Sequence, residues 1–440
     1  MKRIQFGVVA TSAMFGLALS ADVTWAQAPA GAVGTPQQRQ ERVDDRAPAA
    51  RTAEDYKPKG VPVGSFRLFP ELELDEVYND NIYATSTGQP GKSSSFIQNI
   101  KPVLNLNSDW NNHMLNFFAN ANFGLYSVDA INNYADVGVG TQGRVDIQRD
   151  WNVYGGASFN MRHEDRGTPG TSTLAGIAPN KYNQIPLNLG YYQKFNRFSV
   201  RADGRLDNYN YTNLGAGPTN GQVWNYQRDR NEWRESLRLG YDFSPGYTVW
   251  ARGGLNQRNY LYTPDSQGFY RNNYGWDVVG GVAVDLGGIT SFEAFAGYLT
   301  QYYVDPNFPT IQAPMFGLVG YWNPLKELMV KPYVRRAVED TSLTNAAAYL
   351  STTAGLDIEY QARPNIKVIA HGDYAWANFY QINNNPWQQD QYLTLRAAVN
   401  YDLTRNLFTG LSYQWVNKIS NLQNANYSQN IVMLRLGSRF

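Results

Sequence analysis

The feature that constrains this chain most is a repeated hairpin. From residue 66 to residue 440, stretches of alternating apolar and polar residues are joined in turn by a tight polar turn and a longer polar loop. The tight turns are Ser108-Asp109-Trp110-Asn111, Arg149-Asp150-Trp151-Asn152, Phe195-Asn196-Arg197-Phe198, Ser244-Pro245-Gly246, Gly287-Gly288, Asn323-Pro324-Leu325-Lys326, Arg363-Pro364-Asn365 and Thr404-Arg405-Asn406. Gly and Asn reach positive φ and Pro presets φ, so each closes a hairpin. Eight such turns join sixteen strands, and one strand on either flank makes eighteen. Expected strands include 66–78, 198–210, 229–243, 247–260, 313–322, 349–361 and 427–440. The spacing of about 21 residues per strand and loop suits a membrane-crossing strand of roughly 9–11 residues with an overhang.

Alternation within the strands separates two faces. Trp233, Leu237, Leu239, Tyr241 and Phe243 share one, and Arg234, Ser236, Arg238, Gly240 and Asp242 share the other. Phe198, Val200, Ala202 and Leu206 likewise oppose Arg201, Asp203, Arg205 and Asp207. A soluble sandwich would also alternate, but with two open-edged sheets and shorter strands. Composition decides between them. Charged residues make up 17% and aromatics 14%, against roughly 25% charged in ordinary soluble domains. A mean hydropathy of −0.47 excludes a bundle of membrane helices. The pattern predicts an all-β fold: a transmembrane antiparallel up-and-down β-barrel of 16–18 strands, best eighteen, over residues 66–440. Trp110, Trp151, Tyr247 and Phe408, near strand ends, are expected to form an interfacial aromatic girdle.

The N-terminus sets the compartment. Lys2 and Arg3 precede an uncharged, largely apolar run from Phe6 to Ala21. This is the pattern of a cleaved signal peptide, expected over residues 1–26 with cleavage after Ala26. Residues 27–65 are rich in Ala, Pro, Gln and charge and are expected to form a disordered periplasmic leader. That leader is too short for the plug domain of a TonB-dependent receptor, which excludes that class. The expected location is the outer membrane of a Gram-negative cell. The expected partners are its lipid and lipopolysaccharide and the barrel-assembly machinery. The terminal Phe440, after an alternating strand, is the expected assembly signal. With Lys+Arg 38 against Asp+Glu 37 there is no basic surplus for nucleic acid. Cys is 0, which removes disulfides, thiolate metal sites and a cysteine nucleophile.

The inward face is unusually charged. Its basic candidates for pore selectivity are Arg162, Arg201, Arg205, Arg234, Arg238, Arg252, Arg258, Lys331, Arg335, Arg396 and Arg435. The acidic ones are Asp203, Asp207, Asp242, Glu293, Asp357 and Asp373. Two readings stay open: arginines contacting anionic or hydroxyl-rich solutes, or charges pairing across strands and stiffening the wall. Inward Tyr154 and Tyr192 could stack on sugar rings. Only three histidines exist, His113, His163 and His371, and no motif sets a nucleophile beside one of them. No catalytic residue, metal or cofactor is expected. A channel therefore leads, ahead of a non-conducting structural or surface-interaction barrel, with a barrel enzyme third.

Three segments carry a resemblance. They are Leu74-Asp75-Glu76-Val77-Tyr78-Asn79-Asp80-Asn81-Ile82-Tyr83, Arg162-His163-Glu164-Asp165-Arg166-Gly167-Thr168-Pro169, and the hairpin from Arg228-Asp229-Arg230-Asn231-Glu232 through Ser244-Pro245-Gly246 to Arg258-Asn259-Tyr260. They resemble the outer-membrane beta-barrel porin type 2 family over residues 66–440, with Glu76 standing where that family has glycine. The resemblance implies a porin-like barrel and a role in polysaccharide secretion, with a periplasmic polysaccharide-export component as a partner. It carries no catalytic residue.

Overall fold

The computed structural model describes residues 56–86, 92–169, 178–213, 225–287, 289–339, 341, 343, 346–381 and 388–440. The expected signal peptide and most of the leader lie outside these residues. A three-residue strand, β1 (Val61–Val63), comes first. The barrel strands are β2 (Phe66–Asn79), β3 (Ser95–Ser108), β4 (Met114–Tyr126), β5 (Tyr134–Gln148), β6 (Trp151–His163), β7 (Lys181–Phe195), β8 (Phe198–Tyr211), β9 (Arg230–Ser244) and β10 (Tyr247–Tyr260). The other half comprises β11 (Asn273–Asp285), β12 (Thr290–Tyr303), β13 (Ile311–Leu325), β14 (Leu328–Glu339), β15 (Ala346–Arg363), β16 (Ile366–Gln381), β17 (Gln389–Asp402), β18 (Leu407–Ser420) and β19 (Tyr427–Arg439). From β2 onward each pairs antiparallel with its chain neighbour, and β19 pairs back onto β2 from Ile431↔Asn79 to Arg439↔Glu71. The result is a closed barrel of eighteen strands. Closure leaves no long edge to water or lipid, as a membrane requires.

The two faces follow the sequence pattern. Leu189, Phe198, Leu237, Leu239, Leu255 and Leu434 are exposed on the outside, the face lipid covers, whereas Arg201, Asp207, Arg238 and Glu293 are buried on the inside. At the short-turn rim, the periplasmic end in barrels of this kind, Trp110 meets Phe66 edge-on with centroids 5.5 Å apart, and Tyr247 packs on Phe243 at 5.7 Å. Phe408 departs from the expected girdle. It is buried on the inner face, over Gly437.

That arrangement recurs. Tyr134, Tyr154, Trp250, Phe295, Tyr333 and Phe408 each lie directly across from Gly124, Gly190, Gly281, Gly317, Gly355 and Gly437, respectively. In every pair a Cβ on the glycine would run into the ring. The glycine lets the ring lie flat on the wall instead of standing into the lumen.

Two features finish the seam. Arg435 is 2% exposed and holds both carboxylates of the facing strand, with Nε 2.7 Å from Asp75 Oδ1 and Nη1 3.1 Å from Glu73 Oε1. Lys101 from β3 adds a bond of 2.6 Å to Asp75. The ordered wall also begins ahead of residue 66. β1 pairs with the start of β2, Val63↔Phe66 to Val61↔Leu68, on the edge that β19 occupies higher up.

Candidate functional site

The inner faces of β8, β9 and β10 carry the charged groups as a lattice. Arg201 Nε lies 2.8 Å from Asp203, and Arg205 Nε lies 2.6 Å from Asp207, each pair two residues apart on one strand. Glu232 is the hub. It is 2% exposed, binds Arg230 at 2.8 Å, contacts Arg234, and lies 3.7 Å from Arg258. Arg238 reaches Glu293 on β12 at 3.2 Å and stacks over Trp250, and Arg252 bonds Asp277 at 2.6 Å. Among the arginines of this wall the side chains of Arg205 and Arg234 keep the most water, at 25% and 18% exposure, and Asp203 beside them keeps 25%.

The remaining candidates are scattered. Lys331 sits 3.9 Å from Asp357, Arg335 bonds Glu339 at 3.0 Å, and Asp242 accepts from Lys194 and Thr248 near the periplasmic end. Arg162 faces inward opposite Tyr182 near the outer mouth, and Arg396 faces inward opposite His371 and Gln414. Arg435 lies in the seam and is too enclosed to touch a solute. Tyr154 and Tyr192 are buried as well, Tyr154 bonding Asp203, so neither offers a ring for sugar stacking. Sequence reasoning passed over Arg230 and Glu232. The parity of Arg234, carried back two and four residues, places both inward.

The adjoining wall is different. Val279 and Ala283 on β11, Phe295 and Leu299 on β12, and Ile311, Ala313 and Met315 on β13 all point inward, and with Trp250 they form one apolar cluster. Ala348 and Leu350 at the start of β15 join it. Residues 346–350 are buried at every position, which a strand in a barrel wall cannot be when one face meets lipid. Ala346 and Tyr349 pack instead on Ala377, Phe379, Tyr392, Val416 and Tyr427 from β16 to β19, and on Ala84 from the β2–β3 loop. Ala347 meets Phe308 of the β12–β13 loop. Arg271 donates to the Ala346 carbonyl at 2.9 Å, and Arg258 donates across the lumen to the Val338 carbonyl at 3.0 Å. The β14–β15 end therefore bends into the barrel and narrows its outer half.

Neighbouring loops hold that constriction. Arg166 donates twice to Asn132 Oδ1, at 2.8 and 3.0 Å, and lies over the Tyr83 ring. Tyr83 bonds Asp129, and Tyr427 donates to the Gly167 carbonyl at 2.8 Å. Beside them Asp80 accepts from the Asn430 amide at 2.8 Å and from Lys92 at 3.1 Å. Burial alone would raise the Asp80 carboxyl, but these bonds outweigh it and hold it below the usual carboxylate range.

The histidines are held by acids. His163 Nδ1 faces Asp136 at 2.9 Å and its Nε2 faces Asp165 at 3.0 Å; His371 bridges Asp357 at 2.6 Å and Asp373 at 2.8 Å. With both ring nitrogens on carboxylates, neither imidazole faces a serine as a base would. Among the described residues no group of three or more His, Cys, Asp or Glu is placed to hold a metal ion.

A closed eighteen-stranded barrel, apolar outside and charged within, defines an outer-membrane protein of the porin type. The chain belongs to the family described as "Putative beta-barrel porin 2", whose model matches residues 54–440. No curated protein matches it. Solved structures of similar fold include OpdO of Pseudomonas aeruginosa, at 15% identity and a TM-score of 0.44, covering 86% of this chain and 98% of that one. OpdK of Pseudomonas aeruginosa aligns at 9% identity and a TM-score of 0.43, covering 85% and 99%. A BenF-like porin of Pseudomonas fluorescens Pf-5 aligns at 8% identity and 0.44, again covering 85% and 99%.

Proposed function

We propose that this outer-membrane barrel is a passive channel for small polar solutes, whose path runs along the β8–β10 wall past Arg205 and Arg234. The observation that carries this is the division of the lumen into a charged wall and an apolar wall covered by the chain itself. Water follows the charged side. A channel, not an enzyme, also fits histidines engaged by carboxylates.

Export of a polysaccharide, which the family resemblance implies, asks an extended polymer to pass the same narrow mouth beside residues 346–350. The tyrosines expected to guide it are packed into the wall. A small solute is therefore preferred. The reading includes export through a signal peptide over residues 1–26, a leader at 27–65, insertion by assembly machinery reading Phe440, and contact with lipid and lipopolysaccharide. A periplasmic export component belongs only to the polymer reading.

Single-channel conductance in planar bilayers, with small anions, neutral sugars and oligosaccharides as blockers, tests it. Discrete steps blocked by small anions support the proposal. Block by oligosaccharides alone favours the polymer. Silence from a folded barrel favours a structural role.

A further inference from the structure

The barrel has a second seam, where the wall overlaps instead of closing. β13 pairs with β14 only up to Gly317↔Arg335. Yet β13 runs on beside β12 to Ile311↔Gln301, and β14 runs on beside β15 to Glu339↔Tyr349. Where the two part, the Arg336 guanidinium lies 5.3 Å from the centroid of the Phe316 ring. Beyond that fork, among the described residues, 311–316 have a strand on one side only, and so do 336–339.

Side-chain parity tells which strand lies behind the other. Leu328 and Pro332 stand opposite Tyr360 and Leu356, which are exposed, so even-numbered positions of β14 and β15 face out. Val338, Ala348 and Leu350 are even-numbered. They pack nonetheless on Ile311, Ala313 and Met315 from the inner face of β13. The β14 and β15 ends have therefore slipped behind β13, their outward side against its inward side. Arg258 and Arg271 hold them there through the Val338 and Ala346 carbonyls.

We propose that this overlap is a gate with a second, zipped state. When the β14 and β15 ends swing outward, the register that stops at Gly317↔Arg335 continues as Phe316↔Arg336, Met315↔Ala337, Pro314↔Val338 and Ala313↔Glu339. Each state has what the other lacks. The overlap buries Ile311, Ala313 and Met315, at 0%, 3% and 9% exposure. It leaves the β13 edge without a strand partner at membrane depth, where bare backbone groups find no water. Pro314, which has no N–H to leave bare, lessens that cost without removing it. The zipped state pairs the edge and turns Val338, Ala348 and Leu350 to lipid, but it exposes the apolar inner wall to water. The overlap is thus the resting state. The zipped state is the open one, because it takes Tyr349 and Leu350 out of the lumen. β15 keeps its pairing to β16, up to Ala346↔Gln381, in both. The gate rests on the proposed channel function; the strand movement does not.

The chain has no cysteine, so paired substitutions can trap each state. In the overlap Glu339 points away from β13, because Val338 beside it points toward that strand. In the zipped register Glu339 and Ala313 stand opposite each other, close enough for a disulfide. Ala313→Cys with Glu339→Cys should therefore cross-link through the zipped state alone. Its oxidation in the folded barrel should raise open conductance in bilayers severalfold, and reduction should reverse the gain. Phe308→Cys with Ala347→Cys joins residues that touch in the overlap. That bond should hold conductance at its lowest level until it is reduced. Arg271→Ala, which releases Ala346, should speed the first cross-link severalfold. Heat-modifiable migration confirms that each variant has folded. If the second pair cross-links and the first does not, the movement is overturned. If the first pair cross-links and conductance stays the same, the gate is overturned. A first-pair cross-link with no conductance from any form, oxidised or reduced, sinks the channel reading and leaves the movement standing.

Discussion

The walls built by β8–β10 and by β11–β13 use strands of similar length under the same inside–outside parity, yet their inner chemistry differs: the first is mostly charged, the second mostly apolar. On the first wall Arg205 and Arg234 meet water, and the more enclosed guanidinium groups are held by Asp203 and Glu232 of that wall and by Asp277 of β11 and Glu293 of β12, the two acids the second wall lends it. On the second, Val279, Ile311, Ala313 and Met315 meet other protein: the Ala348–Leu350 stretch of β15. The difference teaches that the inner face of a barrel reports what lies against it. A charged face faces water or its own counter-ions. An apolar inner face announces a segment folded upon it, because bare apolar surface in a wet lumen forfeits burial.

The comparison can be broken in four ways. The largest effect is expected from Glu232→Ala. It leaves Arg230, Arg234 and Arg258 without their shared carboxylate, and breaking a buried ion network costs about 4 kcal/mol. The urea midpoint of the heat-sensitive gel shift should fall accordingly. An unchanged midpoint would mean that the lattice does not hold the wall. On the other side, Leu299→Ala should cost about 3 kcal/mol through lost burial and a cavity. It should also loosen the mouth, so conductance rises as stability falls; a fall in stability with no gain in conductance would detach the apolar wall from the constriction.

Two smaller effects sharpen the contrast. Gly281→Ala pushes a methyl into the Trp250 ring and should cost about 1–3 kcal/mol. Gly253→Ala, on the lipid face with open space around it, should stay within about 0.5 kcal/mol. Equal losses would show that the rings do not need their glycines. Arg205→Gln should shift anion over cation permeability by no more than about fivefold, the worth of one charge at about 4 Å in water. The shift should fade at 1 M salt, where screening reaches about 3 Å. A reversal potential that does not move would take the permeation path off this wall.

Most of the barrel was legible in the sequence because its signals are local. Turn chemistry and two-residue alternation placed β10 to the residue, and β2, β8, β9, β13, β15 and β19 within three residues at each end. The departures come from contacts made at a distance. Ala346-Ala347-Ala348-Tyr349-Leu350 has no alternation, so its placement inside depends on partners from eight other strands, β10–β13 and β16–β19. Phe408 looks like an interfacial ring by position, and only Gly437 on the next strand explains why it turns in. Val61-Pro62-Val63 is too short to signal a strand without the edge it completes. Among the site residues, parity correctly turned Arg201, Arg205, Arg234 and Arg238 inward. It could not tell which of them would be sealed by a carboxylate, since Glu293 lies three strands from Arg238.

The seam sets an order of events during synthesis. Arg435 and Asp75 are 360 positions apart, so the ring cannot shut until Arg435 itself has left the ribosome. Every other strand pair can form earlier from its own hairpin or the next loop. The first and last strands must keep their unpaired backbone, and the acids Glu73 and Asp75, hydrated until each finds the other. Whatever escorts the chain has to shield those two edges throughout and release them together. A terminal arginine hairpin arriving at two waiting carboxylates gives that final step an electrostatic guide.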